Sequence, residues 1–331
     1  MPKDKVVFWF PFVTSNFAHM MKKSFTYCMT LFTLSGLIAC QGKSQSTFMT
    51  AANNKSLLWE VSGNGLHQPS YIFGTMHLLC AEDAQISDPL HSIIQLVNEI
   101  YFEIDLDDLG ELFNGATMGV MQNDTTLSEL LTPEEFSRVK EFFELHGLAM
   151  QFNLLQNMQP MLIGSLVYHA ILPCEQTDGM EMAIMQAAHE YHKEIKGLET
   201  AAFQVSILEQ IPYGKQAADL VHSVDSISAG TTQIEEMIEL YKKQDIDSLL
   251  AYSLKNDGGD SPEIQDKMIY QRNKNWTNLF PQISKGQQIL IAVGAGHLGG
   301  EKGLLQLLKN KGYTLRPLQN DRNILVKNST L

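Results

Sequence analysis

Two short apolar runs in this chain end in the same way. Ser70-Tyr71-Ile72-Phe73 stops at Gly74-Thr75-Met76-His77, and Ile289-Leu290-Ile291-Ala292-Val293 stops at Gly294-Ala295-Gly296-His297. Short runs of β-branched and aromatic residues predict strands, and a terminal glycine lets the backbone turn sharply or approach a ligand. A histidine three residues past each glycine is then presented at the rim where ligands bind in α/β sheets. The matched contexts predict one shared site built on His77 and His297, against the alternative of two unrelated structural histidines.

The intervening pattern alternates. Residues 57–62 predict a first strand, which Gly63-Asn64-Gly65 turns into the second as a long-looped hairpin. Asp88-Pro89 opens a helix on which Leu90, Ile93, Ile94 and Val97 recur at helical spacing. Residues 100–106 predict a third strand, with Phe102, Ile104 and Leu106 on one face and Glu103, Asp105 and Asp107 on the other. The acids fit an exposed edge face; in an interior strand, Glu103 would instead stand at the carboxyl end beside His77.

Residues 109–170 predict a mostly helical stretch. Thr132-Pro133-Glu134-Glu135 marks a helix start, and Phe136, Val139, Phe142, Phe143 and Leu148 form its apolar face. Met150, Met158 and Met161 read as core filler or a greasy groove. Thr177 to Glu181 opens another helix, on which His189 and His192 read as solvated, and a strand over residues 194–198 ends at a second acid, Glu199. Helices over 200–228 and 231–243 follow, with a break at Ile211-Pro212. After a loop at 257–260, a helix capped by Ser261-Pro262-Glu263 carries Arg272, Asn273 and Trp276; strand 287–293, a helix and strand 314–318 close the chain. The fold class expected is α/β (α+β): a central mixed β-sheet flanked by helices, with a large helical insertion.

The N-terminus has a different grammar. From Met21, Lys22-Lys23 form a positive region, residues 25–38 an apolar one, and Leu37-Ile38-Ala39-Cys40 resembles the lipobox of bacterial lipoproteins. The apolar stretch is shorter than the roughly 20 residues of a spanning helix. Residues 1–20 then read as an extension from a misplaced start codon, 21–39 as a lipoprotein signal peptide, Cys40 as the lipidated residue and 40–55 as a tether. Residues 56–320 form the main domain. By resemblance to the lipoprotein sorting rules of Gram-negative bacteria, Gln41 after the cysteine implies the periplasmic face of an outer membrane. Removing residues 1–39 takes away four lysines and one aspartate, moving the formal net charge from −13 to −16. Such a chain repels nucleic acid, so that partner class is set aside. Cys80 and Cys174 remain, and an oxidising compartment predicts a disulfide between them, with a soft metal site as the weaker alternative.

Five pieces in this order resemble the TraB/GumN/TIKI family over about residues 57–318. They are Tyr71-Ile72-Phe73-Gly74-Thr75-Met76-His77, Glu103, Gly197-Leu198-Glu199-Thr200 with Gln204, Arg272-Asn273 with Trp276, and Val293-Gly294-Ala295-Gly296-His297-Leu298. The resemblance implies a relationship to erythromycin-esterase-like and haem-associated ChaN-like proteins. From Wnt-inactivating animal members it also implies divalent-metal-dependent proteolysis. Where such families often carry aspartate after a Gly-apolar pair, this chain has Glu181, the same charge on a longer arm.

Imidazole and carboxylate donors suit manganese, cobalt, iron or zinc. His77 and His297 are therefore expected as metal ligands or direct catalytic groups, and Glu103 and Glu199 as further ligand and general base in either order. Arg272 and Asn273 would stabilise an oxyanion, unless Arg272 is a salt bridge to one of the glutamates. The function expected is a metal-dependent hydrolase, foremost a peptidase acting on a peptide or protein. The alternatives are an envelope lipoprotein that binds peptide, haem or iron without turnover, and a metal-independent esterase.

Overall fold

The computed structural model describes residues 48–51, 55–172, 174, 177–256 and 262–321. The segment expected as a signal peptide, Cys40, most of the expected tether, the loop at 257–260 and Ser261 lie outside the described residues. Eight strands occur among them: β1 (Leu58–Gly63), β2 (Ser70–Thr75), β3 (Leu79–Cys80), β4 (Glu99–Phe102), β5 (Thr177–Asp178), β6 (Glu194–Gly197), β7 (Ile289–Gly294) and β8 (Tyr313–Pro317). Six of them build a mixed sheet in the order β6-β4-β7-β2-β1-β8, and β3 pairs with β5 in a separate ribbon.

The sheet is parallel across β6, β4, β7 and β2, and antiparallel from β2 through β1 to β8. Central parallel strands are covered on both faces and read as unbroken apolar runs. Accordingly β2 is buried throughout, and β7 from Ile289 to Val293. Register then aligns the carboxyl ends, with Thr75 beside Gly294 and Phe102 beside Gly197. Whatever follows these four strands leaves the sheet at one rim.

The third strand is shorter than its alternation predicts. β4 stops at Phe102, in the sheet interior, so the acids after it do not line an edge. Asp105 instead accepts the backbone N–H groups of Asp107 and Asp108 in a turn, where a short acidic side chain competes with strand pairing.

The helical insertion has its own core. Thr132 caps the helix Pro133–Leu145 and Glu135 reaches back to it, completing a capping box. Val139, Phe142 and Phe143 from that helix pack with Phe152, Ile163, Val167, Leu220 and Val221. Phe143 and Phe152 stack at 4.9 Å. Burying a ring of this size contributes about 1.5–3 kcal/mol, so the stacked pair outweighs any single cap in holding the insertion together. Met158 packs against this core, whereas Met150 is exposed and fills nothing.

Candidate functional site

Two carboxylates meet where the β4–β6 ladder runs past its strands. Leu198 N–H donates to Phe102 O at 2.9 Å and Glu199 N–H to Glu103 O at 3.0 Å, which sets Glu103 and Glu199 side by side. Glu103 Oε1 accepts the Gly294 N–H at 2.9 Å, and Gln204 Nε2 bridges to Glu103 Oε2 at 3.3 Å and Glu199 Oε1 at 3.0 Å. Trp276 Nε1 holds Glu199 Oε2 at 2.9 Å.

Arg272 closes this group. It begins the helix Arg272–Ile283, directly after a π-helical turn at Asp266–Gln271, a local widening common at functional sites. Its Nε donates to Glu199 Oε1 at 2.6 Å and its Nη2 to Glu103 Oε2. Nη1 reaches Met268 O at 2.9 Å and His297 Nε2 at 3.2 Å. A guanidinium has five N–H donors, so one from Nε, two from Nη1 and one from Nη2 leave a single donor over. The charge also lies 4.8 Å over the Trp276 ring.

The two histidines differ in state. His297 is buried in the short turn Ala295–His297. Asn273 Nδ2 donates to Lys302 O at 3.0 Å, which leaves Asn273 Oδ1 to accept from His297 Nδ1 at 2.8 Å. The proton therefore sits on Nδ1, and Nε2 faces Arg272 with Glu103 Oε1 at 3.7 Å. Burial pushes the imidazole down to about 3, so the ring is neutral at neutral pH. His77 is half exposed, with Nδ1 2.7 Å from Glu181 Oε1. The Glu181 charge raises His77 to about 9 against the opposing effect of burial. Burial disfavours the Glu103 anion, but Arg272, His297 and His77 outweigh it and hold the carboxyl well below its ordinary range. Glu199 goes the other way: burial raises it, and Arg272 offsets that only in part.

Gly294 supplies the space between these groups. A β-carbon there would lie 3.3 Å from Glu103 Oε1, 3.6 Å from His297 Cδ2 and 3.7 Å from His77 Nε2. Three donor-bearing side chains thus converge on one point that only the missing side chain keeps open. Among the described residues, no three His, Cys, Asp or Glu side chains are already drawn together as a metal cage.

The structure brings His77, His297, Glu103, Glu199 and Arg272 to one rim and puts Asn273 behind it. Asn273 is fully buried and engaged with His297 and Lys302, so the oxyanion role expected for it gives way to orienting the imidazole. Arg272 is the salt bridge of the alternative reading, and to both glutamates at once. Cys80 and Cys174 form a disulfide. Thr177-Asp178 does not start a helix but pairs with β3, and the helix begins at Met180. His189 is exposed beside Asp107, away from these groups in its hydrogen bonding.

The contact of Glu181 with His77 is not legible from the sequence. Tyr241, in the helix Ile227–Lys242, is a second such residue: its hydroxyl donates to Gly74 O at 2.9 Å and supports the first glycine turn. A phenol amid the apolar face of an acidic helix was the available signal, since buried tyrosines need a partner.

Residues 57–317 match the TraB/PrgY/gumN family. The chain is 20% identical over 313 residues to Metalloprotease TIKI2 of Danio rerio, covering 78% of this chain and 60% of that one. It is 20% identical over 320 residues to the Metalloprotease TIKI homolog of Amphimedon queenslandica, covering 81% and 62%. The uncharacterised protein YbaP of Shigella flexneri is 23% identical over 247 residues, covering 72% and 88%. The chain thus spans about three fifths of the length of these TIKI relatives. No solved structure matches it.

Proposed function

The chain belongs to the TraB/PrgY/gumN family, and from that premise we propose that it is a divalent-metal-dependent hydrolase acting on peptide bonds. The observation that carries the reading is the open point at Gly294, faced by Glu103 Oε1, His297 and His77 Nε2. Both imidazoles have Nδ1 tied to an oxygen, Glu181 for His77 and Asn273 for His297, the outer contact that orients metal-ligating histidines. His77 and Glu103 would hold the metal, with His297 joining them once Arg272 Nη1 gives up its Nε2. Such an ion supplies Lewis acidity to a scissile carbonyl and acidifies a water molecule.

The protein's own groups do the rest. Glu199, its carboxyl raised by burial, is suited to take and return a proton. Arg272 keeps Glu103 ionised and fixes both carboxylates in one plane of contacts, with one N–H over for a developing negative charge. Trp276 and Gln204 hold Glu199 against rotation. Anchoring through Cys40 would put this chemistry on an envelope membrane, acting on peptides within reach of a short tether.

A second reading, metal-independent hydrolysis with one histidine as base, is favoured by one contact: Arg272 Nη1 already donates to His297 Nε2. Peptidase assays with manganese or cobalt against chelator separate the two. The metal reading expects activity abolished by chelator and by His77→Ala or His297→Ala; turnover that survives both overturns it.

A further inference from the structure

We propose that Glu181 is the positioning residue of the site: held by a disulfide-closed ribbon, it fixes the His77 ring so that Nε2 faces the space at Gly294. The inference rests on the reading that His77 belongs to the functional centre. It starts from how the chain delivers Glu181. β3 follows His77 directly and pairs antiparallel with β5, Leu79 opposite Asp178 and Cys80 opposite Thr177. The Cys80–Cys174 bond closes the same ribbon across 94 positions of sequence. Beyond β5 the chain lies against the histidine turn, with Met180 N–H donating to Met76 O at 3.1 Å. Gly179 makes this approach feasible, because a β-carbon there would come within 2.6 Å of His77 O. Glu181 then sits at the start of the helix Met180–Glu190, its side chain 5% exposed, with Oε1 2.7 Å from His77 Nδ1.

A buried carboxylate with only a structural role is ordinarily surrounded by donors. Among the described residues, neither Glu181 oxygen has a well-formed hydrogen bond, and the counter-charge of the group is the His77 ring, whose Nδ1 lies 2.7 Å from Oε1. A buried carboxylate with one partner is costly to keep. The cost is accounted for if the contact sets the tautomer and direction of an imidazole whose other nitrogen does the work. The longer arm of glutamate reaches a ring that is itself half exposed.

The test uses the full chain carrying Glu181→Ala, Glu181→Gln and Glu181→Asp, each also in a His77→Ala background. Calorimetric titration with manganese or cobalt should show affinity reduced ~10–100-fold in Glu181→Ala, as for loss of an outer-shell partner. Glu181→Gln should keep more affinity than alanine, because its amide oxygen can still face Nδ1. In the His77→Ala background, none of the three changes should weaken binding further. Nitrogen-15 spectra of the metal-free imidazoles at about pH 10 supply the readout that needs no metal. His77 should be held as the Nδ1–H tautomer in wild type and Glu181→Gln, and revert to the Nε2–H form dominant in water in Glu181→Ala. Unchanged tautomer and affinity in Glu181→Ala overturn the proposal, as does an equal loss in the His77→Ala background. If wild type binds neither metal while the tautomer still switches, the positioning role stands and the metal reading fails. Should alanine prevent folding, the glutamine and aspartate variants carry the same comparison.

Discussion

Replacing Arg272 by methionine tests the charge balance of the site. The guanidinium is 5% exposed and pairs with Glu103 and Glu199, themselves 12% and 8% exposed. Removing one partner of a buried pair costs about 3–5 kcal/mol, because the charge left behind has no water to replace the contact. Part of that is recovered here: Glu103 retains the Gly294 N–H, and Glu199 retains Trp276 and Gln204. The expectation is therefore the lower part of that range, near 3 kcal/mol at pH 7.5, a fall in melting temperature on the order of 10 °C. The sign with pH follows from linkage. In wild type Glu103 is depressed, so its contribution is full above its ordinary pKa and is lost only as the pH falls through the lower folded value. In the variant both acids are raised, and protonating them restores stability, so the penalty shrinks from pH 7.5 to pH 5. Urea unfolding of the chelator-treated chain, monitored by the buried Trp276, measures both. Adding Glu103→Gln and Glu199→Gln to the variant should return most of the loss, since an apolar or neutral replacement of a whole buried ion cluster is close to neutral. A penalty under 1 kcal/mol, or one equal at the two pH values, would refute the argument that these three side chains form a single charge-compensated unit.

Other outcomes follow from the same geometry. Gly294→Ala keeps an ordinary backbone, since Gly294 has φ −48° and ψ 132°, but puts a methyl group among Glu103, His297 and His77; unfolding midpoints should stay near wild type while peptidase activity falls more than ~10-fold. With chelator present, the His77–Glu181 pair should stabilise the fold fully below pH 6.5 and lose that effect as the pH rises through about 9, so the unfolding midpoints of wild type and Glu181→Gln converge above it. Replacing Cys80 and Cys174 by serine opens a loop of 94 positions, which in the chain-entropy model lowers stability by about 4–5 kcal/mol; denaturant titration with and without reductant on wild type reads the same difference.

Much of the frame was legible along the chain because it is local chemistry. The capping box at Thr132, the apolar face around Phe143 and the proline-led helices repeat with periods that one segment encodes by itself. β2 and β7 were legible for the same reason, as unbroken apolar runs stopped by glycine. The end of β4 was not. Alternation carries on past Phe102 in the residue types, but Asp105 takes the backbone into a turn that no periodicity announces.

From the sequence came the parts of the site: two histidines after glycines, two glutamates at strand ends and a pair of cysteines from the residues, and an arginine and an asparagine from the family resemblance. What each part does was decided by contacts across 24 to 191 positions of sequence. Parallel register lines up four strand ends that are far apart in the chain, so that Arg272 lands between both carboxylates. Depth then separates two histidines with the same motif, one neutral and enclosed near Asn273, the other half exposed and charged by Glu181. Proton affinity depends on the dielectric and charges around a group, and those are properties of the packed molecule, not of its order of residues.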